Sequence, residues 1–217
     1  MTSLPDATVF DWREADEKTE NCFRASNVLW LDPPEKDMPL EFLKTLVPPP
    51  ALPFEAGCPK DWGRIEKELG TELPADYREF ISCYGSGLFA RFYRIYNPFA
   101  ASKWTHLGRS VPMACGFLRE LRLRWKDEVP YPIYPECGGL LPWGNDENGN
   151  YYFWVTDGPP DSWSIASYEV RGRGFEGHSC TMSNYLADVL SGRIPALAGS
   201  YPTSHDRVFE AWNTAEF

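Results

Sequence analysis

The sequence predicts an α+β fold: a single domain with a mainly antiparallel twisted sheet packed with flanking helices. Three observations predict it. Between Trp62 and Gly87 two short amphipathic helix patterns follow one another, separated by Gly70 and Leu73-Pro74. From Tyr131 onward the pattern changes to short β-forming runs broken by Gly, Pro and Asn, for which an antiparallel meander is the economical arrangement. The composition, 43% hydrophobic and 15% aromatic over 217 residues, supplies one substantial core, while 20 prolines and 17 glycines imply many turns.

Taken in order, residues 1–56 read as a partly ordered N-terminal extension. Val9, Phe10 and Trp12 form an apolar patch beside an acidic mixed stretch from Asp11 to Glu20. Asn27 to Leu31 suits a short strand. Asp37 to Val47 reads as a helix with Asp37 as N-cap and Leu40, Leu43 and Leu46 inward. Pro48-Pro49-Pro50 then makes an extended connector, so the extension either docks onto the main domain or tethers loosely to it.

The main domain follows the connector. Pro59 occupies a first helical position, Trp62, Ile65 and Leu69 share one face, and Gly70 ends the helix. The next helix places Asp76 and Glu79 early, where the helix dipole favours negative charge, and turns Tyr77, Phe80, Ile81 and Tyr84 inward until Gly85. Leu88 to Tyr96 suits a strand. Ser110 to Lys126 returns to helix, with Ser110 as cap and Met113, Phe117, Leu121 and Trp125 recurring every fourth residue; Arg119, Arg122 and Lys126 share another face. Gly139 to Trp143, Tyr151 to Thr156 and Ser162 to Val170 are expected strands, Arg171 to Gly177 a Gly-rich turn, and Met182 to Leu190 a helix capped by Thr181 or Ser183 and closed by Gly192. In the tail, 195–217, the segment from His205 to Trp212 either forms a short helix anchored by Phe209 and Trp212 or stays mobile.

Charge and cysteine usage narrow the class of partner. The formal charge is −10, distributed as −6 over residues 1–57, +4 over 58–127, −6 over 128–199 and −2 beyond. Nucleic-acid binding needs concentrated Lys and Arg, so a basic protein partner is the more natural expectation. The six cysteines lie far apart without CxxC or metal-ligand spacing, and are expected mostly reduced and packed, with no metal and no cofactor. No stretch is long and apolar enough to span a membrane and no secretory leader pattern opens the chain, which makes the cytoplasm the default compartment.

Motifs that could carry chemistry are poor matches. In Asp146-Glu147-Asn148-Gly149-Asn150 the Gly falls two places short for a calcium loop, whereas Asn-Gly is itself a hairpin signal. Gly177-His178-Ser179-Cys180-Thr181 lacks the last Gly of a nucleophile elbow. No Ser/His/Asp constellation can be assembled from the spacing of His106, His178 and His205, so the chain is expected to be non-catalytic. What remains is a β region in which Trp143, Trp154 and Trp163 accompany Asp146, Glu147, Asp157 and Asp161. That mixture can anchor a protein interface with an acidic rim, and each indole taken alone also suits a core.

The order Trp62, Ile65-Glu66, Leu73-Pro74, Asp76-Tyr77, Phe80 and Tyr84-Gly85-Ser86-Gly87 resembles the opening of a SUKH-superfamily domain. Gly138 to Trp154, GGLLPWGNDENGNYYFW, resembles its later section; Gly149-Asn150 stands where the family often has Gly-Asp. The superfamily contains many bacterial toxin-immunity proteins and a fungal cell-wall synthesis regulator. The resemblance covers residues 57–194, the expected main domain, and implies a SUKH-like fold and a non-catalytic immunity-type protein that binds and occludes a cognate toxin, a basic and nucleic-acid-targeting one. A regulatory scaffold in cell-wall or signalling pathways is the alternative, and an enzyme with a site assembled from dispersed residues a third. Partner-binding residues are expected among Trp143, Asp146, Glu147, Asn148, Asp157, Asp161 and Trp163, and reversing charge at Asp146 and Glu147 is expected to weaken binding while sparing the fold.

Overall fold

The computed structural model describes residues 30–31, 40–172, 174–197 and 202–212. Within them one sheet of eight strands is flanked by five α-helices. The strands are β1 (Trp30–Leu31), β2 (Gly87–Phe89), β3 (Tyr93–Ile95), β4 (Leu140–Asp146), β5 (Tyr151–Val155), β6 (Ser164–Glu169), β7 (Gly174–His178) and β8 (Phe209–Ala211). The helices are α1 (Leu40–Leu46), α2 (Trp62–Leu69), α3 (Ala75–Tyr84), α4 (Leu107–Arg124) and α5 (Met182–Ser191). The strand order is β1-β7-β6-β5-β4-β3-β2-β8; β1 pairs with β7 in parallel, and the other neighbours are antiparallel.

Alternation along β5 assigns the helices to faces. Tyr151 stacks on Phe117 of α4 with ring centroids 5.3 Å apart, whereas Trp154 meets Tyr77 of α3 at 4.9 Å and Tyr152 meets Tyr185 of α5 at 5.8 Å. Successive strand residues point to opposite faces, so α4 covers one side of the sheet and α3 and α5 the other. Helix α1 packs against α5 and α3. Leu40, Leu43 and Val47 are buried in the same core, and the buried phenol of Tyr84 donates to the Val47 carbonyl at 2.6 Å.

The α2–α3 hairpin follows its pattern, with Trp62, Ile65, Tyr77, Phe80, Ile81 and Tyr84 buried. Gly85 has a second reason to be glycine besides its φ of 69°. A Cβ there would stand 2.0 Å from the Phe54 carbonyl oxygen, which accepts from Ser86 N at 2.7 Å.

Four local expectations change. Leu88 to Tyr96 is a hairpin, β2 and β3, because Ala90 and Arg91 both take φ of 51° and turn the chain without an Asn-Gly signal. Helix α4 starts three residues early; Ser110 lies buried inside it, and the core face is Leu107, Val111, Ala114, Cys115, Leu118 and Leu121, leaving Met113 and Trp125 exposed. Part of the Gly-rich turn is strand β7, whose Phe175 packs on Tyr168 at 4.7 Å. In the tail the helix is only a single 3-10 turn, Ser204–Asp206, and Phe209–Ala211 extends as β8 along β2. The expectations at Val9 to Glu20, Asn27 to Leu29 and Asp37 lie outside the described residues. Cys58, Cys83, Cys115 and Cys180 are free thiols and Cys137 is disulfide-bonded, so the reduced state does not extend to Cys137. Among the described residues no helix is long and apolar enough to cross a membrane.

Candidate protein-binding site

The β4–β5 hairpin owes its shape to one carboxylate. Asp146 is 1% exposed. Its Oδ1 accepts from the backbone N–H of Asn148 and of Asn150, both at 2.9 Å; its Oδ2 accepts from Asn150 Nδ2 at 2.9 Å and from the Tyr152 hydroxyl at 2.7 Å. Burial pushes the Tyr152 phenol well above its ordinary pKa, which keeps it a donor to that carboxylate. A buried carboxylate with these four donors is satisfied internally, and it fixes the loop backbone from inside. Asn150 is buried too, and its Oδ1 accepts from Val170 N at 3.1 Å, joining the hairpin to the end of β6.

The tip beyond Asp146 faces solvent. Glu147 and Asn148 are exposed, and Glu147 pairs with Arg94 of β3, whose Nη1 also donates to the Asp146 carbonyl at 3.3 Å. Arg94 stands opposite Asn145 in the β3–β4 register, a neighbour that only the register reveals.

The structure divides the seven expected partner-binding residues. Trp143 is fully buried and packs 6.2 Å from Tyr185. Trp163 is buried, its indole 6.2 Å from Trp154 and its Nε1 donating to the Gly158 carbonyl at 2.9 Å. With Asp146, these three residues have no side-chain surface to offer, because the aromatic density that suggested an interface is the density of the core. Glu147, Asn148, Asp157 and Asp161 are exposed, yet they do not form one patch. The first two sit at the β4–β5 turn and the other two at the β5–β6 loop, at opposite ends of β5, roughly 14 Å apart along the strand. Asp161 has a structural contact as well: its Oδ1 accepts from Ala75 N at 2.7 Å, at the N-terminus of α3, where the helix dipole favours a carboxylate.

The histidine segment is interior. His178 is buried, its Nε2 lies 3.2 Å from Ser167 Oγ, and burial lowers its pKa to about 4. Burial likewise pushes the Cys180 thiol up to about 12, which makes it a weak nucleophile near neutral pH. Sequence reasoning also missed the reach of Asp76: its Oδ2 accepts from Ser183 N at 3.0 Å and Ser183 Oγ at 2.9 Å, tying α3 to the start of α5. No spacing signal connects residues so far apart in the chain.

A family model described as SMI1-KNR4 cell-wall, SUKH_6, matches residues 59–177. The chain belongs to the SUKH superfamily. The matched span runs from the turn before α2 into β7, and so contains α3, α4 and the whole β4–β5 hairpin of the SUKH fold. Helices α1 and α5 lie outside it, yet Leu40, Leu43, Leu186 and Leu190 belong to the same SUKH core. No curated protein and no solved structure matches the chain.

Proposed function

We propose that this SUKH protein is a non-catalytic, immunity-type binder that occludes a cognate toxin domain of basic, nucleic-acid-targeting character. The observation that supports the reading most is the β4–β5 tip, where Glu147 and Asn148 are exposed on a turn fixed by the buried Asp146. A turn already held in shape loses little conformational entropy on binding. The charge of −10 adds long-range attraction for a basic partner. Occlusion is stoichiometric and needs no turnover.

The test is co-expression with a toxin encoded beside the gene, followed by purification of the complex. The expected result is rescue of growth and a one-to-one complex that Glu147→Lys with Asn148→Lys weakens, both substitutions lying on exposed positions. The absence of both rescue and a complex with every neighbouring toxin would refute the reading.

A second reading, a regulatory scaffold of cell-wall pathways, is favoured by the description of the matched family. Its test is affinity capture with the N-terminal extension shortened. The cut belongs before Trp30, since Leu40, Leu43 and Val47 belong to the core. Unchanged partners would exclude recruitment by residues 1–29.

A further inference from the structure

The outer face of α4 carries an apolar stripe left uncovered by the sheet. Met113 is 57% exposed and Leu123 80% exposed, and Trp125 just past the helix end is 55% exposed. Pro112, Met113, Gly116 and Leu123 fall within one sector about 100° wide, at about 100° per residue. Gly116 leaves a gap in that stripe, where a Cβ would meet nothing within 4 Å. Arg109 stands at its N-terminal end, Arg119 and Arg124 flank it, and Glu120 is an acid on the same face, all four exposed. Arg109 and Glu120 fall inside the same sector, so the surface is apolar from Pro112 to Gly116 and again at Leu123, with one acid between, and is basic at its N-terminal end and margins. Its occupant must bring a short apolar run flanked by acids.

Three occupants can be compared on that chemistry. A second copy docked face to face would set this arginine-bordered stripe against its own duplicate, a like-charge arrangement. A foreign protein would need the complementary pattern. The chain carries that pattern itself: residues 1–29 have a net charge of −3, with Val9, Phe10 and Trp12 set among Asp11, Glu14, Asp16, Glu17 and Glu20. Reach is ample. The eighteen residues from Trp12 to β1 can extend up to about 60 Å. From β1, where the extension joins the sheet, to β4 beneath α4 is four strand spacings, roughly 19 Å.

We propose that residues 9–20 dock in cis on the outer face of α4, with Phe10 and Trp12 against Met113, Gly116 and Leu123 and the acidic side chains against Arg109, Arg119 and Arg124. Helix α4 is then a receptor for the chain's own extension, and a partner with a similar acidic and aromatic segment competes for the same stripe. This surface is separate from the β4–β5 tip and stands or falls independently of the toxin-binding reading.

The experiment places a photoreactive benzophenone amino acid at position 113 of the full chain, irradiates at low micromolar concentration and maps the cross-linked peptides by mass spectrometry. The expected product is an intramolecular cross-link to peptides within residues 1–29. Its yield should fall about fivefold in Arg109→Glu with Arg124→Glu, and similarly in Phe10→Ser with Trp12→Ser, since each pair of changes removes exposed contacts of modest individual strength. Every changed position lies at the surface or in the extension, and unaltered far-UV circular dichroism checks that the fold is kept. Cross-links to a second copy, cross-links elsewhere in the chain, no cross-link, or a yield indifferent to both variants would each overturn the proposal.

Discussion

Replacing Asp146 by Ala tests how the candidate site is built. The change removes the acceptor of four hydrogen bonds, from Asn148 N, Asn150 N, Asn150 Nδ2 and the Tyr152 hydroxyl. Asn148 is exposed and water can take over its N–H, but Asn150 and Tyr152 are buried and lose their partner outright. A buried donor left unsatisfied costs about 1–3 kcal/mol, so the expected loss is roughly 3–5 kcal/mol with two residues affected. For a chain of this size that corresponds to a fall in Tm of about 10 °C. Urea unfolding followed by tryptophan fluorescence measures it, and Asp146→Asn, which keeps one acceptor oxygen for the two backbone N–H groups, should lose less. A loss below about 1 kcal/mol for the Ala variant would refute the claim that this carboxylate holds the turn. The same geometry argues against one expectation drawn from the sequence: reversing charge at Asp146 should disturb the fold, because it puts an ammonium where four donors converge.

Two further perturbations read other parts of the molecule. His178 is held neutral by burial with a pKa of about 4, below the ordinary histidine value of 6.5, so the unfolded chain takes up its proton first as pH falls. Stability from this residue is therefore intact above about pH 6.5 and lost progressively toward pH 4; between pH 7 and pH 5 the wild type should lose about 2 kcal/mol more than His178→Gln, and parallel urea midpoints across that interval would sink the assignment. Gly87 lies against the tail strand, where a Cβ would come within 2.3 Å of the Phe209 ring and 2.6 Å of the Glu210 carbonyl oxygen. Gly87→Ala should cost about 1–3 kcal/mol and release β8, seen as faster amide exchange at Phe209–Ala211; unchanged protection there would contradict it.

Much of the fold was legible because local chemistry and tertiary structure agree along most of the chain. Gly70 and Gly192 end their helices with φ of 82° and 78°, and Thr181 accepts from Asn184 N at 3.4 Å as the cap of α5. The misses share a cause: they depend on partners remote in sequence. Strand β8 has little β-forming character of its own, and is a strand because β2 offers an edge and Phe209 finds Tyr84 at 5.2 Å. The face of α4 was misread because several periodic sets of apolar residues coexist on it, and only the sheet decides which is covered. The candidate site was legible as a turn but not as a surface. Asn148-Gly149 announced a hairpin, with Gly149 at φ of 83°, whereas nothing in the spacing shows that Trp143 and Asp146 point inward or that Asp157 lies at the far end of β5.

The two edges of the sheet are both closed late in synthesis. Strand β2 waits for β8, about 120 residues downstream, and β1 waits for β7, about 147 residues downstream. At about 5–20 residues per second, β2 stands without its outer neighbour for some 6–24 s while the rest of the domain emerges. During that interval its open backbone is a template for any nascent strand nearby. Crowding on the polysome is then a factor in how much of this protein reaches its native state, separate from the stability of the finished domain.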